Sequence, residues 1–293
     1  MRQLDQFFSP SAQVTLYHYT GIGGLLGIVS SRTVWASHAY YMNDSKEILL
    51  ACEVLRKLLA EREKEFDGEE QVFVRQCADW FETFKRDAFH VFVFSLSEEP
   101  SLLSQWRSYT PHGKGVSVGF SPSVLNRILQ APGFRLARCL YEAHEHAELM
   151  RSLLDKILIT FRQRLPSLDT SKLHPSQKYH AFLEEFRGEV LQVLAIVKDR
   201  AFHEEREWRI VSPYFSNYTV PEVRVREGAS MLLPYIALQL PDASAGVLFD
   251  KVILGPSTDV SLSFAALSAY LSNQKVSDVT VNSDIPFRKW SAT

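Results

Sequence analysis

Leu16-Tyr-His-Tyr-Thr-Gly-Ile-Gly-Gly24 is the stretch on which the reading of this chain turns. With Val14 and Thr15 before it, residues 14–20 form a β-branched and aromatic run, the composition of a strand. Gly21, Gly23, Gly24 and Gly27 follow, mixed with Leu25, Leu26, Ile28 and Val29. That mixture predicts a strand turning into a short, closely packed helix. A histidine inside such a strand, His18, can be presented at the floor of a cleft, and backbone N–H groups at the following helix start can hold an anion. Taken alone, it reads first as a core histidine bonded to a neighbouring strand, with the glycines there for tight packing. The glycine spacing is not GxGxxG, so a dinucleotide-binding fingerprint is rejected.

Outward from there, Thr33-Val-Trp-Ala-Ser37 predicts a second strand. A long helix is expected to begin near Asn43-Asp44, because Ile48, Cys52, Leu55 and Leu59 recur on one helical face. Asp44 with Glu47 three residues on fits a capping box. A further helix is expected over about 70–86. His90-Val-Phe-Val-Phe-Ser95 is apolar at consecutive positions, which predicts a strand buried on both faces. Gly115-Val-Ser-Val-Gly-Phe120, Trp208-Arg-Ile-Val211, residues 231–240 and Lys251-Val-Ile-Leu254 are strand-like. Between them Leu149, Leu153, Ile157 and Phe161 share one helical face, and Phe182, Phe186, Val193 and Val197 another. A last helix is expected over 259–272. Strands bracket a helical middle without a βαβ rhythm. The fold class expected is α+β, with a mixed or antiparallel sheet flanked by helices. One domain over 1–293 with a helical insertion around 141–200 is the expected layout.

Composition narrows the function classes. The chain has 293 residues, 46% of them hydrophobic, with 32 Lys and Arg against 34 Asp and Glu. This balance excludes a disordered or fibrous chain and announces no polyanion binder, though it leaves room for a local basic groove. Cys52, Cys77 and Cys139 are widely spaced and form no CxxC, so neither a disulfide framework nor a cysteine zinc site is expected. No run approaches the ~18 apolar residues of a membrane span. The N-terminus lacks the apolar core of a secretory signal. A cytoplasmic protein is the default expectation. His144 and His146 diverge on a helix, no HExxH occurs, and no metal is expected. Gly113-Lys-Gly115 reads as a hairpin corner.

Three further constellations carry polar chemistry. Tyr40-Tyr-Met-Asn43 offers rings that can stack on a planar ligand. Phe94-Ser-Leu-Ser97 runs on to Gln105-Trp-Arg107, which offers an amide, a stacking face and an anion clamp. It also reads as a helix start with a half-buried Trp. Phe202-His-Glu-Glu-Arg-Glu-Trp-Arg-Ile-Val211 reads as a charged turn entering a strand; on a strand, Glu205 and Glu207 point to one face and Arg206 to the other. Two carboxylates side by side repel, which can keep one available to bond a hydroxyl or take a proton. A solvated edge strand explains the same charges.

In order, Tyr17–Thr20, Trp35–Ser37, Asn43–Glu47, Phe94–Trp106, Gly115–Phe120 and Glu205–Arg209 resemble the signature of an uncharacterised bacterial family, a domain of unknown function, over about 16–255. That pattern in turn loosely resembles ADP-ribosyltransferases. The resemblance implies a split sheet with His18 on its first strand, and a catalytic acid at Glu207 within a Glu-x-Glu pair with Glu205. The second motif falls either at Ser37 and Tyr40 or at Ser95 and Ser97. It further implies NAD as substrate, with His18 holding the ribose and Glu207 stabilising the ribosyl cation through the 2′-hydroxyl. Glu205 would orient or deprotonate the acceptor. Tyr40 or Trp106 would stack on nicotinamide, and Arg107 or Arg209 would meet the diphosphate. Tyr19, Thr20, Ser37, Asn43, Ser95 and Gln105 complete the implied NAD contacts. An NAD-consuming enzyme, either an ADP-ribosyltransferase with a protein or nucleic-acid acceptor or an NAD glycohydrolase, in bacterial defence or as a toxin, is the leading expectation. A non-catalytic nucleotide- or nucleic-acid-binding module and a metal-dependent nuclease are the alternatives.

Overall fold

A computed structural model describes residues 2–42, 46–84, 90–110, 115–168, 174–216, 222–228, 230–241, 247–283 and 285. In chain order the elements are β1 (Leu16–Gly21), α1 (Ile22–Ser31), β2 (Thr33–His38), α2 (Lys46–Arg62), α3 (Gly68–Thr83) and β3 (Phe92–Ser97). Next come α4 (Leu103–Tyr109), β4 (Gly115–Phe120), α5 (Pro122–Ile128), β5 (Arg135–Arg138), α6 (Ala143–Arg164), α7 (His180–Glu184) and α8 (Arg187–Leu194). The chain ends with β6 (Glu207–Val211), β7 (Val223–Glu227), β8 (Leu232–Gln239), β9 (Lys251–Leu254), α9 (Val260–Gln274) and β10 (Thr280–Asn282). The fold is α+β: a mixed, open sheet flanked by helices. No helix among the described residues is long and apolar enough to cross a membrane.

The sheet runs β10-β9-β4-β1-β3-β2-β8-β7, with β6 also on β3 and β5 on β6. Among the named strands β9 and β10 pair in parallel and the other ladders are antiparallel. β3 is where the sheet divides. One of its edges carries β6 along Val93 to Ser97. The other edge is shared: β1 holds it through Tyr17 opposite Ser97, and β2 through Ser37 and His38 opposite Val93 and Phe92. Between those contacts β1 and β2 peel apart, and α1 bridges the wedge they leave. At Gly24 a Cβ would stand 2.0 Å from the Thr20 Oγ1, so the close seating of α1 on β1 requires glycine there.

Side-chain alternation explains why both faces of β3 are covered. Val93 joins one apolar cluster and Phe92, Phe94 and Leu96 another. The first cluster lies among α2, α3, α6, α7 and α8, and the second is built with α1, α5 and α9. The helical stretch over 141–200 therefore does not stand alone: α2 packs on α6 and α8, and α3 on α7, in one layer. The faces read from periodicity are the buried ones. Ile48, Cys52, Leu55 and Leu59 on α2, and Leu149, Leu153, Ile157 and Phe161 on α6, all point into that layer. Of the capping box expected at Asp44 and Glu47, Asp44 lies outside the described residues; Glu47 is buried against the sheet. Gly113 and Lys114 likewise lie outside the described residues.

Candidate functional site

His18 sits in the gap where β1 and β2 leave β3. Its Nδ1 lies 3.0 Å from the Ser95 carbonyl. A carbonyl only accepts, so the proton is on Nδ1 and the Nε2 lone pair is left open. The ring also packs against Phe94 at 4.8 Å. Desolvation lowers its pKa, against the opposing pull of the Ser95 bond, so the imidazole is neutral at pH 7. The ring plugs an unpaired stretch of sheet edge, and two hollows meet at it.

The smaller hollow, about 50 Å³, is lined by Tyr17, His18, Tyr19, Ser95, Leu96, Gln105, Tyr109, Glu205 and Glu207. The larger, about 420 Å³, occupies the wedge between β1, α1 and β2. His18 and Thr20, Gly23, Gly24, Gly27 and Ile28, Thr33, Trp35 and Ser37, and Arg226 line it. Among these lining residues His18 alone belongs to both.

Beside the smaller hollow lies a buried ion cluster. On β6 the odd positions Glu207 and Arg209 face the helical layer, as Val211 does. Lys198 Nζ donates to Glu205 Oε2 at 2.6 Å and to Glu207 Oε2 at 2.5 Å. Arg209 chelates Glu207 through Nε and Nη2, both at 2.9 Å, and donates to the Ala195 carbonyl at 2.7 Å. From α2, Glu47 Oε2 stands 3.0 Å from Arg209 Nη2, while its Oε1 is 3.9 Å from Lys198 Nζ. The Tyr141 hydroxyl accepts from the Glu207 N–H at 2.8 Å.

Three acids thus face two bases. Burial pushes Glu207 up, but Arg209 and Lys198 outweigh it and hold the carboxyl at about 2. For Glu47 burial wins over the same two cations, helped by repulsion from Glu207, and its pKa rises to about 7. Buried ion groups of this kind cost as much as they return in stability. Their place beside a hollow points to function.

This arrangement corrects several expectations. Glu205 is the last residue of a 3-10 helix over Arg200–Glu205, not part of a strand. Arg206 then turns the chain at φ 41° and pairs with Glu99 at the surface. Repulsion between Glu205 and Glu207 leaves neither carboxylate idle, because Lys198 bridges them. Arg209 cannot meet a diphosphate, being buried and committed to Glu207, Glu47 and Ala195. Trp106 offers no stacking face: it is buried, edge-on to Tyr19 at 4.8 Å, and bonded to Ser101. The Tyr19 hydroxyl is likewise occupied, donating to the Glu99 carbonyl and accepting from the Leu102 N–H. Tyr40 donates to the Phe84 carbonyl at 2.6 Å and lines neither hollow. Arg107 is exposed on α4 and lines neither. Asn43 lies outside the described residues.

The structure does bring His18, Ser95, Gln105, Glu205 and Glu207 to one hollow, and Thr20 and Ser37 with His18 to the other. Residues that the sequence reading did not single out are Lys198, Tyr141, Trp35 as a ring open to a cavity, and Arg226. For Trp35 a signal existed: period-2 alternation puts Thr33, Trp35 and Ser37 on one face of β2, opposite the buried Val34 and Ala36. For Lys198 none did, since its partners come from elsewhere in the chain. The carboxylates that a metal-dependent nuclease would need are those bonded to Lys198 and Arg209.

No curated protein and no solved structure matches the chain. Residues 105–210 match the sequence profile of a family described as a protein of unknown function, DUF2971. The matched stretch opens at Gln105, contains β4 and all of the helical run over 141–200, and takes in Lys198, Glu205, Glu207 and Arg209. Over residues 105–210, then, the chain is similar to an uncharacterised family, a domain of unknown function.

Proposed function

We propose that this protein binds a nucleotide at the fork of its sheet, and that it is an ADP-ribosyltransferase-like enzyme that consumes NAD. One observation carries the reading: the first-strand histidine and the Glu-x-Glu pair, far apart in sequence, line a single hollow. In the proposed reaction the bond between ribose C1′ and the nicotinamide nitrogen breaks, and its electron pair leaves with nicotinamide. Water or an acceptor then adds to C1′ and releases a proton. The intermediate is an oxocarbenium-like cation, which calls for a fixed negative charge more than for a strong nucleophile. Glu207 is suited to that, being ionised at any physiological pH. Its three bonds from Lys198 and Arg209 leave about one of its four acceptor positions, on Oε1, for a ribose hydroxyl. His18, neutral and with Nε2 open, supplies an acceptor for a second hydroxyl. A protein or nucleic-acid acceptor and a setting in bacterial defence or toxicity belong to this reading.

A second reading is favoured by the same three bonds. A carboxylate so fully engaged suits a scaffold, and the protein would then bind a nucleotide without turning it over. Calorimetric titration with NAD, with nicotinamide followed in the same samples, separates the two. Heat of binding with nicotinamide release supports the enzyme. Binding with NAD recovered intact, with candidate acceptors supplied, supports the binding module. Absence of both removes the nucleotide reading altogether.

A further inference from the structure

The wedge cavity has a chemistry of its own. Its volume of about 420 Å³ falls in the ~300–1,000 Å³ range of small-molecule sites. One wall is Trp35, which keeps 46% of its surface exposed although it sits on an inner strand. Its ring is backed by Tyr235 at 4.5 Å, so it is held as a fixed plane. Arg226 reaches from β7 across β8: its guanidinium lies 6.0 Å over the Trp35 ring and 3.3 Å from the Ser37 hydroxyl. It is the only charged side chain among the lining residues. Its buried Nε has no hydrogen-bond partner among the described residues. The opposite wall is the α1 backbone at Gly23 and Gly27, where a Cβ would meet nothing within 4 Å. Neither packing nor backbone conformation asks for glycine at these two positions, which cost helix stability. Their effect is to leave the space facing Trp35 empty.

We propose that the wedge is the binding site for a nucleoside monophosphate unit, its base lying on Trp35 between that ring and the bare face of α1, and its phosphate held by Arg226 and Ser37. A planar base matches the fixed indole face, and a planar guanidinium is suited to bidentate phosphate contact. This assignment rests on the nucleotide reading above and adds to it which walls make the contacts. NAD contains two such units, an AMP half and a nicotinamide mononucleotide half, and His18 at the inner end of the wedge joins it to the hollow that holds Glu207.

The test uses the full-length protein with AMP, nicotinamide mononucleotide and adenosine as separate probes, read by calorimetry and by tryptophan emission. The expected result is that at least one mononucleotide binds and quenches emission, and that the quenching vanishes in Trp35→Phe. Arg226→Gln weakens that mononucleotide about 10–100-fold and leaves adenosine unchanged. Gly27→Leu, whose Cβ meets nothing within 4 Å and whose side chain extends into the wedge, abolishes binding while the melting temperature holds or rises. The probe that binds identifies which half of NAD the wedge takes. Binding of neither mononucleotide overturns the proposal, as does equal binding in wild type, Arg226→Gln and Gly27→Leu. If NAD is turned over but the two variants turn it over as wild type does, the wedge assignment falls and the enzyme reading stands. If a mononucleotide binds with the Arg226 and Gly27 dependence but NAD is never consumed, the enzyme reading falls and the wedge stands.

Discussion

Lys198 Nζ lies 2.5 Å from Glu207 Oε2, and both side chains are buried. The same ammonium holds Glu205 at 2.6 Å, so one lysine allows two acidic side chains to share the edge of a hollow. Removing it leaves buried carboxylates facing each other. Lys198→Met is expected to lose about 3–5 kcal/mol of stability at pH 7 in urea denaturation. The loss should shrink as the pH is lowered and the carboxylates take up protons. A loss below ~1 kcal/mol at pH 7 would mean that the pair is not buried as described.

Glu47 gives the cluster a measurable pH dependence. Its folded pKa of about 7 exceeds the ordinary 4.5, so between those values the folded state binds the extra proton, and stability falls as the pH rises through the window. Glu207 has the opposite sign: its pKa drops from 4.5 to about 2, and its contribution is lost only as the pH falls through that lower range. His18, His38 and His90, all with lowered pKa values, oppose Glu47 below 6.5. The comparison of wild type with Glu47→Gln isolates the carboxyl. The stability of the variant relative to wild type should rise between pH 5 and pH 8 by on the order of 3 kcal/mol. A flat difference across that range would show that Glu47 ionises normally.

His18 should be neutral at pH 7 with its proton on Nδ1, because the Ser95 carbonyl can only accept. Nitrogen-15 spectra of the imidazole report the tautomer directly. Protonation of the ring should occur only below 6.5, and folding stability should fall with it, since the unfolded chain binds that proton first. An imidazolium at pH 7, or a proton on Nε2, would contradict the placement of the ring in the fork.

Gly24→Ala should destabilise the protein by about 1–3 kcal/mol, as the added methyl meets the Thr20 side chain. In a Thr20→Ala background the cost should largely disappear. The coupling read from that double-mutant cycle checks the packing of α1 on β1.

Much of the frame was legible in the sequence. β3 is buried on both faces as its consecutive apolar residues require, and β4 and β9 have the bounds that their composition suggests. Helical faces were legible for the same reason: burial imposes a 3.6-residue period. What pattern could not give was tertiary pairing. Lys198 follows an apolar run with nothing in the local pattern to mark it, and only the return of the chain at Glu205 and Glu207 brings it its partners. Trp106 and Trp35 illustrate the same limit. Both are tryptophans in short elements, yet Trp106 is sealed between Tyr19 and Gly255 while Trp35 stands open. β7, which carries Arg226, has no signature in the sequence: Val-Arg-Val-Arg-Glu at an outer edge has little buried side to betray it. Glu205 and Glu207 share one face only if both lie on a strand, and the left-handed Arg206 between them defeats that arrangement.

The most direct measurement is the rate of nicotinamide release from NAD by the purified protein, compared with Glu207→Gln and with Gln105→Glu, which lines the same hollow. Release above the buffer rate is expected in wild type, with a fall of about 100-fold or more in Glu207→Gln and the variant still folded by circular dichroism. Release that is absent from wild type, or that survives unchanged in folded Glu207→Gln, would contradict the enzyme reading.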